Sequence, residues 1–158
     1  ARCRRYLESG SFFLTYSDCL CSVDLAALLA AHRHSRKLVT VTGVQPTSRF
    51  GTFSLNGGEV GGYTPDSKLA GVGGYLNGGF MAMEPGVFDH LELVNECTLE
   101  REVFTNLAAA QPLGVFAHNG YWQAVYTERD LQTVTRLYTE NQRPWLSLSG
   151  GHSTPPIK

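Results

Sequence analysis

No stretch of the sequence is long and apolar enough to cross a bilayer. The longest apolar run, Leu25 to Ala31, falls far short of the roughly 20 residues that a spanning helix needs. No secretory leader opens the chain, because Arg2, Arg4 and Arg5 run into polar residues rather than an apolar core. Charge of one sign is also lacking: 13 Lys and Arg against 14 Asp and Glu leave a net charge of −1. That balance excludes a basic stripe for nucleic acid and an acidic solvating tail. Cysteine is sparse, at Cys3, Cys19, Cys21 and Cys97, too thin for a disulfide scaffold, so the four read as free thiols. These absences lead to the expectation of a soluble, cytoplasmic protein with no membrane and no nucleic-acid partner.

What is present is ordinary globular chemistry. A length of 158 residues suits one domain with a real core, and 42% hydrophobic against 17% charged residues argues against disorder. Glycine is the exception. Its 17 residues cluster in pairs, at Gly57-Gly58, Gly61-Gly62, Gly73-Gly74, Gly78-Gly79 and Gly150-Gly151, which marks sharp turns or close backbone approach. Cys19-x-Cys21 followed by His32-x-His34 looks like a zinc set, but zinc favours wider spacing within each pair. On a helix, residues two apart point about 200° away from one another, so the zinc reading is set aside.

Periodicity and caps predict the elements. Ser11 to Tyr16 reads as a buried strand. Ser22 offers an N-cap oxygen and Asp24 a first-turn carboxylate for a helix running to about His34, with Leu25, Leu28 and Leu29 as its apolar stripe. Leu38 to Val44 is the next strand, and strand–helix–strand predicts that it runs parallel to the first. A hairpin follows over Phe50 to Val60, turning at Asn56-Gly57-Gly58. A Gly/Pro loop from Thr64 to Gly74 leads to a strand over Tyr75 to Met83, and Pro85 opens a short helix around Val87 to Leu93. Thr98 caps a helix over Leu99 to Ala110; Leu113 to Phe116 and Trp122 to Tyr126 read as strands. Thr127 and Asp130 form a capping box for a last helix whose buried stripe is Leu131, Val134, Leu137 and Tyr138. The class is α/β, with a domain over residues 1–146 and a flexible polar tail over 147–158.

Several words then occur in order: Phe13-Leu14-Thr15-Tyr16-x-Asp18; Val39-Thr40-Val41-Thr42 leading to Gln45-Pro46 and Arg49-Phe50-Gly51; Asn77-Gly78-Gly79-Phe80; Glu84-Pro85-x-Val87-Phe88-Asp89; Gly120-x-Trp122-Gln123; Thr127-x-Arg129-Asp130; and Pro144-Trp145. In this order they resemble the C-terminal two-thirds of glucose-1-phosphate cytidylyltransferase, of the sugar nucleotidyltransferase family, over roughly residues 2–146. The resemblance implies a partial Rossmann-like nucleotidyltransferase fold, a mixed sheet with flanking helices. It implies the Mg²⁺-dependent reaction of CTP with glucose 1-phosphate to CDP-glucose and pyrophosphate. Such chemistry is positioning plus charge neutralisation by metal and basic side chains.

Carried over residue by residue, the resemblance makes Asp18 a Mg²⁺ ligand, against the alternative of a strand-end aspartate capping its turn. Both family glycines around it are replaced, by Ser17 and Cys19. The second metal carboxylate position is Tyr126, and a phenol of pKa about 10 is a poor Mg²⁺ ligand. On the sugar side the resemblance implies substrate binding by Asn77, Gly78, Gly79 and Lys68. Asn77 is equally readable as a turn residue bonding its own backbone, and Lys68 lies in an altered register. Trp122 reads as core or interface rather than sugar platform, and Arg49 as structural; Glu100 and Glu102 suit the positive end of a helix. The Arg2, Arg4 and Arg5 cluster reads as solvated. The family's N-terminal Gly-rich phosphate loop has no match in these 158 residues, and backbone N–H groups that cradle phosphate have no generic substitute.

The expectation is therefore a truncated cytidylyltransferase-like chain with an eroded site and no secure catalytic residue, inactive by itself. The alternatives are a non-catalytic sugar-nucleotide-binding relative and a decayed fragment without ligand. The expected partners are CTP, glucose 1-phosphate or CDP-glucose, and association with further copies of the chain stays open.

Overall fold

The computed structural model describes residues 3–7, 9–45, 52–56, 59–64, 75–90, 99, 104, 107 and 113–146. The strands are β1 (Phe12–Thr15), β2 (Cys19–Cys21), β3 (Val39–Val44), β4 (Thr52–Asn56), β5 (Glu59–Thr64), β6 (Leu76–Met83), β7 (Gly114–His118) and β8 (Trp122–Ala124). The helices are α1 (Leu25–Ser35) and α2 (Glu128–Thr139), with 3-10 turns at Arg4–Tyr6, Pro85–His90 and Pro144–Leu146.

The central sheet has the order β1-β6-β3-β7. Strands β1 and β3 are each antiparallel to β6, and β7 is parallel to β3. The two strands of the predicted strand–helix–strand unit therefore do run the same way, but β6 is inserted between them. The sheet is mixed, as expected. Strand β3 is buried at all six positions, which is why Val39 to Val44 is nearly continuous in apolar and β-branched residues rather than alternating. On one face Val39, Val41, Met81 and Met83 pack with Val87 and Leu107; on the other, Ala82 and Phe116 pack under Leu28 and Val23. Helix α1 covers this second face, lying against β3, β6 and β7, with Leu28 fully buried. Truncating such a leucine typically costs about 2–5 kcal/mol.

Local capping differs from the sequence reading at one helix and agrees at the other. Asp24, not Ser22, caps α1: its carboxylate accepts the Ala27 N–H at 3.0 Å. Ser22 Oγ is engaged elsewhere, accepting the Tyr121 N–H at 3.0 Å. The Thr127–Asp130 capping box of α2 is present in full. Its apolar stripe is only partly covered: Val134 is buried, whereas Leu131 and Tyr138 are exposed. The reason is geometric, since the buried carboxylate of Asp130 and Val134 set the inward face and leave those two flanking it.

The hairpin is present as β4 and β5, its second arm extending to Thr64, and the helix opened by Pro85 is a 3-10 turn ending at His90. Of the last two predicted strands, the first is shifted toward the C-terminus, to Gly114–His118, and the second starts at Trp122 as expected but ends early, at Ala124. Arg49, Lys68, Cys97, Glu100, Glu102, most of the helix expected over Leu99 to Ala110 and the tail over 147–158 lie outside the described residues. Arg4 is not simply solvated; it pairs with Asp89 at 2.9 Å. Among the described residues, no helix is long and apolar enough to cross a membrane.

Candidate functional site

The candidate site lies at the carboxyl ends of the parallel strands β1 and β3, the place where open α/β sheets present ligands. Strand β1 ends at Thr15, opposite Phe80, and the next residue, Tyr16, donates its backbone N–H to the Gly79 carbonyl at 3.0 Å. An irregularity in the pairing of β3 with β6 sets Gly43 opposite Asn77. Asn77, Gly78 and Gly79 thus enter β6 beside the turn that carries Asp18.

The side chains of this turn are specified in detail. Asn77 Oδ1 accepts the Gly79 N–H at 2.9 Å, and Asn77 Nδ2 donates to the Tyr16 hydroxyl at 3.3 Å. One of the two readings of Asn77, a residue bonding its own backbone, is therefore realised, while the exposed amide keeps a second N–H for a ligand. Gly79 adopts φ +80°, and a Cβ there would lie 3.1 Å from the Tyr16 ring and 3.2 Å from Cys19 Sγ. Glycine is required by both the dihedral and the space. Gly78 is pressed against β3, where a Cβ would meet Val44 at 2.8 Å and the Thr42 carbonyl at 2.9 Å. Its carbonyl accepts the indole N–H of Trp122 at 2.9 Å and faces the Cys19 thiol at 3.7 Å.

Asp18 and Tyr126 also meet. Val125 donates its N–H to the Asp18 carbonyl at 2.8 Å, which brings the next residue, Tyr126, alongside Asp18. Both side chains are exposed. The backbone N–H groups of Tyr126 and Thr127 donate to the Asp130 carboxylate at 3.2 and 3.0 Å, so the start of α2 fixes where Tyr126 stands. Desolvation pushes the Tyr126 hydroxyl above its ordinary pKa, and the charges of Asp18 and Cys19 add to this. Burial raises both thiols, with the Asp18 charge adding at Cys19, and Cys21 is pushed up to about 11. At neutral pH all three groups are therefore protonated. His32, once weighed with the cysteines, is buried against Thr40 (2.9 Å) and Glu84 (3.2 Å), far from any metal role with the exposed His34.

Mg²⁺ takes carboxylate oxygens, phosphates and waters in strict octahedral geometry. Here the donor set is one exposed carboxylate, Asp18, and a neutral phenol. Among the described residues no three His, Cys, Asp or Glu side chains converge on one point. These residues do not fit a resident Mg²⁺, and no chemical step is derived through one. Of the residues singled out in the sequence, Asp18, Tyr126, Asn77, Gly78, Gly79 and Trp122 are brought to one sheet end; Lys68 lies outside the described residues. Tyr16 and Cys19 were missed as site residues. Tyr16 carried a signal, since it stands inside the same word as Asp18, whereas Cys19 was read as a free thiol, as half of a rejected zinc pair and as a lost glycine.

No family model matches the chain. Over 139 residues, 87% of its length, it is 32% identical to the glucose-1-phosphate cytidylyltransferase of Salmonella typhimurium and covers 52% of that protein. The chain is a homologue of the glucose-1-phosphate cytidylyltransferases. A Bacillus subtilis protein named "Probable glucose-1-phosphate cytidylyltransferase" is likewise 32% identical over 140 residues, 89% of this chain and 54% of its own length. Mannose-1-phosphate guanylyltransferase 1 of Arabidopsis thaliana is 32% identical over 162 residues, with 96% of this chain and 44% of that one covered. The chain spans about half the length of the curated relatives it matches.

Solved structures agree on the fold. One from Bacillus anthracis, named "Putative Glucose-1-Phosphate Thymidylyltransferase" and in complex with a sucrose, superimposes with a TM-score of 0.58 at 15% identity, covering 86% of this chain and 57% of that one. HddC from Yersinia pseudotuberculosis, complexed with GMP-PN, gives 0.57 at 14% identity, with 87% and 59% covered. Cytidylyltransferase homology in sequence and the sugar-nucleotidyltransferase fold in structure thus coincide.

Proposed function

We propose that this chain is a glucose-1-phosphate cytidylyltransferase-like protein that binds a sugar nucleotide of the CDP-glucose type without Mg²⁺ and does not by itself join CTP to glucose 1-phosphate. The observation that carries this reading is the pair formed by Asp18 and Tyr126: the residue beside the one carboxylate is a protonated phenol. In-line transfer to the α-phosphate of CTP builds negative charge that needs cations to neutralise it. A lone exposed aspartate with a neutral neighbour supplies none and recruits divalent ions weakly. The sugar side is better kept. Asn77 has a second amide N–H besides the one it donates to the Tyr16 hydroxyl, and the Gly78-Gly79 backbone is held in one conformation. An amide donor is suited to the hydroxyls of a hexose, and an exposed aromatic ring such as Tyr126 to its apolar face.

The test is calorimetric titration of the chain with CDP-glucose, with and without Mg²⁺, alongside an assay for CDP-glucose formation from CTP and glucose 1-phosphate. Binding near micromolar, roughly −8 kcal/mol, unchanged by Mg²⁺ and without turnover, supports the reading. No heat with CDP-glucose from a folded chain, or Mg²⁺-dependent synthesis, overturns it.

A further inference from the structure

We infer that Trp122 is a positioning residue: its indole N–H selects the conformation of the Asn77–Gly79 segment of β6 and ties that segment to the Asp18–Tyr126 side of the site. The inference rests on the sugar-nucleotide reading for its ligand, and on geometry alone for the positioning. Two adjacent glycines have more backbone conformations open to them than any other pair, so something outside the dipeptide must choose among them. The Gly78 carbonyl is held by the Trp122 N–H at 2.9 Å, from a residue 44 positions away in the chain. Cys19 Sγ at 3.7 Å is a weaker second donor to the same oxygen. With the Gly78 peptide fixed, the Gly79 N–H points at Asn77 Oδ1. That contact fixes which face of the Asn77 amide presents its N–H groups.

The second half of the inference follows from where Trp122 sits. It pairs with Cys21 across the β2–β8 ribbon, as Ala124 pairs with Cys19. The run from Trp122 to Tyr126 therefore touches Gly78 through its first side chain and Asp18 through the backbone of Val125. One rigid five-residue strap spans both sides of the site. A tryptophan serving only as packing would be satisfied by any apolar surroundings, with its N–H directed to whatever acceptor lay nearest. Here the acceptor is the carbonyl at the centre of the candidate binding segment of β6.

Trp122→Phe keeps the aromatic bulk and removes the donor. The measurement is residue-resolved amide hydrogen exchange on the wild-type chain and Trp122→Phe, with CDP-glucose titrated into both. Gly79 N–H exchange should accelerate and the CDP-glucose Kd weaken, each by about tenfold, the equivalent of one ordinary hydrogen bond. Exchange in β3 and α2 should be unchanged, which a general loss of packing would not allow. Equal Gly79 exchange in the two proteins, or an equal Kd, overturns the inference. Should Trp122→Phe fail to fold, the wild-type chain decides: the Trp122 indole N–H must exchange more slowly than that of Trp145, and equal, solvent-like rates overturn the inference. Absence of CDP-glucose binding to wild type refutes the sugar-nucleotide reading, and with it the ligand half of the inference; the exchange arm still decides the positioning half.

Discussion

Val125 donates its backbone N–H to the carbonyl of Asp18 at 2.8 Å, a contact made by main chain alone, which keeps Tyr126 next to Asp18 whatever side chain occupies position 126. Positions 18 and 126, which the resemblance makes a pair of metal carboxylates, are thus held together by main chain although residue 126 is a phenol. Substitution at this position should therefore change the chemistry without moving the backbone.

Tyr126→Asp places a second carboxylate beside Asp18. Divalent-ion affinity should rise by about tenfold or more, since two close carboxylates attract a dication that one holds weakly. Mg²⁺ titration calorimetry reads this directly. CDP-glucose synthesis should remain absent, because nothing in these 158 residues supplies the phosphate-binding loop; measurable synthesis by this variant would contradict the proposed function.

Gly79→Ala meets both a left-handed backbone, φ +80°, and the Tyr16 ring and Cys19 Sγ at 3.1 and 3.2 Å. The cost should be about 1–3 kcal/mol, seen as a lower urea midpoint with an unchanged slope. CDP-glucose affinity should fall with it, because the Asn77 contact depends on the Gly79 N–H.

Asp130→Ala removes a buried carboxylate that accepts from Tyr126 N, Thr127 N and Thr127 Oγ1. Loss of the capping box and two unpaired N–H groups should cost about 2 kcal/mol. The same change frees the backbone of Tyr126, so amide exchange at Tyr126 and Thr127 should accelerate before that of β3 does.

His32 gives the chain a pH dependence. Its burial pushes the imidazole below the ordinary 6.5, outweighing the pull of Glu84 on one side and aided by the charge of Arg33. The unfolded chain then takes up the proton first as pH falls. Stability is complete above about pH 6.5 and is lost progressively below it. Urea midpoints measured from pH 8 to 5 should show this decline, and His32→Gln should flatten it.

Much of the fold was legible because it is local. The Thr127–Asp130 box is set within one helical turn, and the continuous apolar run of β3 states that both its faces are covered. The helix over Leu25 to Ser35 followed from its stripe, but its cap did not. Ser22 and Asp24 are both good capping residues, and the choice fell to Asp24 because Ser22 is held by Tyr121 from across the fold. For the site, the resemblance nominated Asp18, Asn77, Gly78, Gly79 and Lys68, and marked Tyr126 as the place of a lost carboxylate. Tyr16 was signalled only by standing in the same word as Asp18, and the contacts that Tyr16, Cys19 and Trp122 make were not legible, since each reaches residues far along the chain.

The sequence by itself determined the α/β class, the capping box of α2 and the strands encoded by neighbours a few residues apart, and the relationship to glucose-1-phosphate cytidylyltransferases carried by ordered words. Only the tertiary structure decided that β6 separates β1 from β3, that Trp122 holds Gly78, and that His32 is kept neutral beside Glu84. The physical reason is the range of the forces involved. Caps and turns close hydrogen bonds between residues three or four apart, so their outcome is written in a short window. Strand order, a donor for one particular carbonyl and the desolvation of an imidazole are settled by which distant segments meet, and that depends on the packing of the whole chain at once.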